Sequence, residues 1–279
     1  MYPKIDLSTA VVVVTGGARG IGQATAQAFT AQGATVYTGD LPDQPAPAAQ
    51  PGTTAIRARV LDVTSRDSYA AFVDGVIAES GRIDVLVNNA GVMPLGRFLD
   101  EPDAISRATL DVNVWGLIHG MRLVLPGMIA QGKGHVVNLA SMAGKIPFPG
   151  MAVYNASKYA AVGLSAAVRR ELHGTGVSVS AVLPSAVRTS LSSGVRLGGI
   201  MPTVDPSDVA AAVIRTCRTR RAETPVPGFL AGWGLLDGLI PEPLMSLGRR
   251  LAGDDRALTV DHAARAQYDA RLTAFTSQE

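Results

Sequence analysis

Short β-branched runs alternate with helical segments along most of the chain, and this alternation limits the fold more than any other feature. Strands are expected at Ala10–Thr15, Ala34–Gly39, Thr54–Val60, Ile83–Asn88, Gly134–Ala140, Val177–Leu183 and Ala222–Val226. Between them lie helical patterns at Ile21–Gln32, Ser65–Ser80, Glu101–Gln131 and Met151–Gly174, with a last regular helix at Ser207–Arg220. Parallel strands need crossovers, and helices supply them, so the order of elements predicts one doubly wound α/β domain with a parallel sheet. The strands read as continuously apolar, as burial on both faces demands. No repeat divides the chain, and no linker separates two domains.

Composition agrees and removes rival functions. With 279 residues and 47% apolar side chains, the chain can bury a large core and is not a disordered tail. A net charge of +2 offers no field to gather nucleic acid. Cys217 is the single cysteine, which excludes a disulfide framework and a multi-thiolate metal site and fits a cytoplasmic protein. His119, His135, His173 and His262 show no metal-ligand spacing, so no metal is expected. The N-terminus carries Lys4 and Asp6 and reads as no signal peptide. The apolar runs at 11–14 and 229–236 are too short for the roughly 20 residues that span a bilayer. Mean hydropathy is nonetheless high, at +0.21.

In doubly wound folds, ligands bind beyond the carboxyl ends of the strands, where the strand order reverses. The first strand runs into Thr15-Gly16-Gly17-Ala18-Arg19-Gly20-Ile21-Gly22, with a helix starting inside it. Glycines 16, 20 and 22 fit either a tight turn or a backbone that approaches a pyrophosphate at the helix N-terminus. The spacing is G-x-x-x-G-x-G, not the commoner G-x-G-x-x-G. Asp40 closes the second strand, where a carboxylate can accept from a ribose hydroxyl and repel a 2′-phosphate. It points to NAD as the cofactor, while Arg19 is the one feature favouring NADP. Asp62-Val63 and Asn88-Asn89-Ala90-Gly91 end the third and fourth strands and face the same crevice.

The fifth strand leads to Ser141, and Tyr154 and Lys158 follow four apart on one helix face. A free tyrosine titrates near pH ~10, and a neighbouring ammonium would stabilise its phenolate. Alone, such a pair fits a solvated helix face equally well.

Taken together, T-G-G-A-R-G-I-G, N-N-A-G, Asn113, Ser141 and Y-N-A-S-K resemble the short-chain dehydrogenase/reductase family over about residues 8–227. The resemblance implies a Rossmann-type fold, a nicotinamide cofactor and a homo-oligomer, dimer or tetramer. It implies Tyr154 as general acid/base, Lys158 as the group that lowers the tyrosine pKa and holds the nicotinamide ribose, and Ser141 as the group that orients the substrate oxygen. Asn113 would hold a water linking Lys158 to solvent. Cofactor contacts would come from Gly16, Arg19, Gly20, Ile21, Gly22, Asp40, Asp62, Val63, Asn89, Ala90, Gly91, Tyr154, Lys158, Pro184, Val187 and Thr189. The family's Pro-Gly after strand six is here Pro184-Ser185, a departure that adds a Cβ beside the cofactor.

The expected activity is NAD-dependent interconversion of a secondary alcohol and a ketone. The alternatives are an NADPH-dependent carbonyl or ketoacyl reductase and, from another class, a non-catalytic dinucleotide sensor or scaffold. A loop at 190–205 with Leu191, Val195, Leu197, Ile200 and Met201 reads as a lid, and with Met93, Leu95, Phe148 and Met151 it suggests a lipophilic substrate. The catalytic domain is expected to end at 227. Residues 228–279 would form an apolar extension that packs on the domain, the pocket or a sister subunit, with contact to a membrane surface the least favoured reading.

Overall fold

Residues 2–42, 44, 55–198, 202–232 and 257–276 are described by the structure, a computed structural model. Seven strands pair in parallel: Val11–Thr15 (β1), Thr35–Asp40 (β2), Arg57–Val60 (β3), Val85–Asn88 (β4), Gly134–Leu139 (β5), Val177–Pro184 (β6) and Glu223–Val226 (β9). Their order is β3-β2-β1-β4-β5-β6-β9, so the direction of winding reverses between β1 and β4. The expected parallel doubly wound sheet is what forms.

Helices cover both faces. Gly20–Thr30 (α1) and Pro206–Thr219 (α6) bury Ala26, Phe29, Val209 and Val213 against one face. Arg66–Ser80 (α2), Gly116–Ala130 (α4) and Ala152–Glu171 (α5) bury Tyr69, Phe72, Leu117, Met121 and Ala161 on the other. Local sequence sets the ends of α2. The Ser65 hydroxyl accepts the Ser68 N–H, and Gly81, at φ +74°, closes the helix in the left-handed region.

Strands β1, β4, β5 and β6 are buried throughout, but β3 is not. It is an edge strand whose Arg57 and Arg59 pair with Glu79 and flank the Tyr37 ring, so burial on both faces does not extend to it. The long helix expected at 101–131 is also broken. Asp103–Leu110 (α3) passes through one π-helical turn, Asp111–Trp115, before α4 begins. Asp103–Ala130 is a stretch long and apolar enough to cross a membrane by length and composition, yet Leu117, Met121, Val124 and Met128 lie in the core beneath the sheet.

Two further elements were not expected. Ala186–Val187 (β7) and Thr203–Val204 (β8) form a small separate parallel pair that frames the loop after β6. Beyond α6 there is another helix, His262–Thr276 (α7), so the helix at 206–219 is not the last. Most of the apolar stretch at 227–253 lies outside the described residues. Within the described part, Leu230 is buried and Phe229 is exposed.

Candidate active site

The turn after β1 is built from its glycines outward. Gly16 adopts φ +66°, and a Cβ on Gly22 would stand 2.0 Å from the Gly16 carbonyl oxygen. Gly22 is therefore required for helix-to-turn contact. It is not among the residues that line the cavity, and its close packing on Gly16 is what shapes the turn there. Asn89 braces the same turn, its Nδ2 donating to the carbonyls of Thr15 and Gly16 at 2.9 Å each. The Thr15 hydroxyl in turn accepts the N–H groups of Asn89 and Ala90 at 3.0 Å. Arg19 is the N-cap of α1 and its side chain makes no capping bond, which leaves the first-turn N–H groups facing the cavity.

That cavity has a volume of about 1140 Å³ and runs over the carboxyl ends of the strands at the point of reversal. Gly16, Arg19, Gly20, Ile21, Asp40, Asp62, Val63, Asn89, Ala90, Gly91, Pro184, Val187 and Thr189 line it, together with Ser141, Tyr154 and Lys158. The sequence thus brings nearly all its expected residues to one place. Asp40 is held by N–H groups of Ala18 and Gly17, but burial outweighs them and raises its pKa to about 6. Asp62 accepts from the Thr64 N–H and hydroxyl at 2.9 and 2.7 Å, which fixes the turn after β3. A free helix N-terminus, a carboxylate at the end of β2 and close-approach glycines fit an elongated dinucleotide.

At the other end Tyr154 is 5% exposed and packs with Met93 and Ala143, with Leu95, Phe148, Met151 and Leu191 around them. Ser141 hydrogen-bonds Tyr154 and accepts the Ala143 N–H at 3.1 Å. The Lys158 ammonium donates to the Leu139 carbonyl at 2.9 Å and stands 5.6 Å from the Tyr154 ring centre. Burial drives both groups toward neutrality: Tyr154 is pushed up to about 12 despite the Ser141 bond, and Lys158 down to about 8. Burial thus outweighs, at Tyr154, the lowering expected from its pairing with Lys158.

Asn113 sits in the π-turn, fully buried behind the cavity wall. Its Nδ2 donates to the Val92 carbonyl at 2.9 Å and the Ser157 hydroxyl at 3.0 Å, and its Oδ1 accepts the Val92 N–H. Both amide protons are spent on the protein, so its first duty is to tie β4's exit to α5. Ser185 turns its hydroxyl onto the Pro202 carbonyl at 2.6 Å, which anchors the loop framed by β7 and β8. The Thr189 side-chain oxygen accepts a backbone N–H in a capping box and keeps its own proton to donate. Among the described residues no three His, Cys, Asp or Glu side chains gather as a metal-binding group.

A family model described as short chain dehydrogenase matches residues 10–198. The chain belongs to the short-chain dehydrogenase/reductase family. Its relatives include oxidoreductases and reductases, and family members have been solved with NAD or NADP. A 3-oxoacyl-[acyl-carrier-protein] reductase of Thermotoga maritima is 36% identical over 65% of this chain and 76% of its own length. Some other curated relatives are longer proteins, of which the chain spans less than half. A Burkholderia phymatum family member solved with NAD superimposes with a TM-score of 0.73 at 24% identity, covering 83% of this chain and 94% of that one. A metagenomic short-chain oxidoreductase solved with NADP gives 0.66 at 33% identity, covering 78% and 97%.

Family motifs do not account for the wall contributed by α7. Tyr268, Arg271 and Leu272 of this short-chain dehydrogenase line the cavity from the C-terminal helix. The Tyr268 hydroxyl accepts the Met93 N–H at 2.8 Å, and its ring stacks 4.4 Å from the Arg265 guanidinium. Arg265 is 1% exposed and donates to the carbonyls of Leu191 (3.1 Å), Ser193 (3.0 Å) and Met93, with Asp269 as its ion partner. Arg265, Tyr268 and Leu272 follow i, i+3, i+7 spacing, the only sequence signal for this face.

Proposed function

We propose that this oxidoreductase interconverts a lipophilic secondary alcohol and its ketone with NAD, using Tyr154 as general acid/base. The observation that carries the reading is the Ser141–Tyr154–Lys158 cluster, buried at the apolar end of a cavity whose far end bears Asp40. When bound, the nicotinamide supplies or accepts the hydride. Ser141 and Tyr154 hold the substrate oxygen between two hydroxyls. In reduction, Tyr154, kept protonated by burial, donates its proton to the developing alkoxide. The Lys158 ammonium, charged below about pH 8, compensates the phenolate that remains. Asn113 positions α5 through Ser157, and Thr189 offers its hydroxyl proton to the carboxamide.

Asp40 supports NAD: with a pKa of about 6 it is mostly ionised at neutral pH and repels a 2′-phosphate. Arg19 in the cavity and the similarity to a ketoacyl reductase favour NADPH as the second reading. The apolar residues around Tyr154 support a lipophilic substrate, and the family resemblance supports a dimer or tetramer. A screen of lipophilic secondary alcohols with NAD, read by NADH absorbance, tests the activity. Tyr154→Phe abolishes turnover and leaves the Kd for NADH unchanged; undiminished turnover in this variant refutes the role of Tyr154. Tighter binding of NADPH than of NADH refutes the cofactor assignment.

A further inference from the structure

We propose that Arg271 of α7 and Arg19 of the glycine turn form a two-guanidinium clasp for the phosphates of the bound dinucleotide, which makes the C-terminal helix part of the cofactor site. The inference rests on the dinucleotide-binding reading above and adds a residue from outside the family motifs.

Three observations converge on it. First, α7 is fixed in rotation. Arg265 is buried against three carbonyls from two loops, and Tyr268 is bonded to the Met93 N–H. Arg271 lies one turn beyond Tyr268, hence on the same face, and both line the cavity.

Second, the two guanidinium groups are uncommitted. Among the described residues the Arg19 guanidinium makes no hydrogen bond or ion pair, and the Arg271 guanidinium uses only its Nε, on the Gln267 carbonyl at 3.2 Å. Their planar donor forks suit phosphate oxygens.

Third, Arg19 and Arg271 line the same cavity, so two like charges face one space. Burial lowers the Arg19 pKa, and the charge of Arg271 lowers it further, while Asp40 acts in the opposite direction. An anion between the two relieves that repulsion. The free N–H groups of α1 begin at Arg19, so a phosphate held there meets backbone donors and both arginines together. The reacting end is not where such an anion belongs, because Tyr154 is ringed by apolar side chains.

The dinucleotide offers two phosphate sources, the diphosphate bridge and the 2′-phosphate of NADP, and the clasp is assigned to the bridge. The test measures binding without turnover, by fluorescence titration of NADH and NADPH and by calorimetry with ADP and adenosine. Arg271→Gln weakens NADH and ADP by about tenfold, as expected for loss of one charge-assisted contact at a partly exposed site. Adenosine binds as before, Arg271→Lys recovers most of the loss, and added salt weakens wild type more steeply than the glutamine variant. A tenfold loss confined to NADPH would overturn the assignment to the bridge. Unchanged Kd values for NADH and ADP, or an equal loss with adenosine, would overturn the clasp. If wild type binds neither dinucleotide, the cofactor reading itself falls, and the clasp with it.

Discussion

Replacing Lys158 by methionine separates what the residue does for chemistry from what it costs the fold. The folded-state pKa of Lys158 is about 8 against an ordinary value of 10.5, and burial is the cause. Between those two values the unfolded chain holds the lysine proton and the folded chain does not, so wild-type stability rises with pH across the interval. Below pH 8 both states are charged and the penalty is complete. The difference of 2.5 pH units, at roughly 1.36 kcal/mol each, sets it at about 3 kcal/mol. Methionine removes the charge but also the donor to the Leu139 carbonyl, a loss of about 1 kcal/mol.

Lys158→Met is therefore expected to be more stable than wild type by about 2 kcal/mol at pH 7. Near pH 10.5, where the wild-type lysine is neutral and keeps its bond, the variant becomes less stable by about 1 kcal/mol. Urea unfolding of both proteins at the two pH values, at equal protein concentration, measures the reversal. A stability difference independent of pH refutes the reasoning, since it would mean that Lys158 pays no desolvation cost on folding. Turnover of the variant falls by at least about 100-fold if the ammonium supports proton transfer.

Other parts of the site yield equally definite outcomes. Asp40 is protonated below about pH 6, so the ratio of the NADPH to the NADH Kd should shrink as pH falls through that value; a ratio that stays flat from pH 5 to 8 removes Asp40 from discrimination. Gly22→Ala places a Cβ against the Gly16 carbonyl and should destabilise the fold by about 3 kcal/mol or displace the turn, read by unfolding midpoint and NADH titration. Arg265→Ala leaves the carbonyls of Met93, Leu191 and Ser193 without their donor. Hydrogen exchange in 262–276 should then quicken while β1 and β5 stay protected, and unchanged exchange in α7 would show that the helix is held by other contacts.

The legible parts of the sequence were those with local causes. Unbroken β-branched runs gave the central strands, Ser65 and Gly81 gave the limits of α2, and the spacing of Tyr154 and Lys158 gave one helix face. Features that depend on distant partners were not legible. β3 reads like its neighbours, but its place at the sheet edge leaves Arg57 exposed and Arg59 half-buried, both on Glu79. The π-turn at Asp111–Trp115 has no compositional mark and is defined by where Asn113 meets Val92 and Ser157. That Gly22 packs directly on the Gly16 carbonyl depends on how the turn folds back, which spacing alone does not show. The rise of the Tyr154 pKa required knowing how deeply both partners are buried. α7 docks through an arginine and a tyrosine, so hydropathy gives no sign that it faces the cavity.

Arg265 also bears on how the cavity opens. Its guanidinium joins the segment after β4, at Met93, to the segment after β7, at Leu191 and Ser193; β4 and β6, the main-sheet strands that precede these two segments, are separated by β5. The two rims are thereby coupled through one side chain on a third element. Either rim moves away only by giving up its own bonds to Arg265, so one buried guanidinium on α7 fastens both.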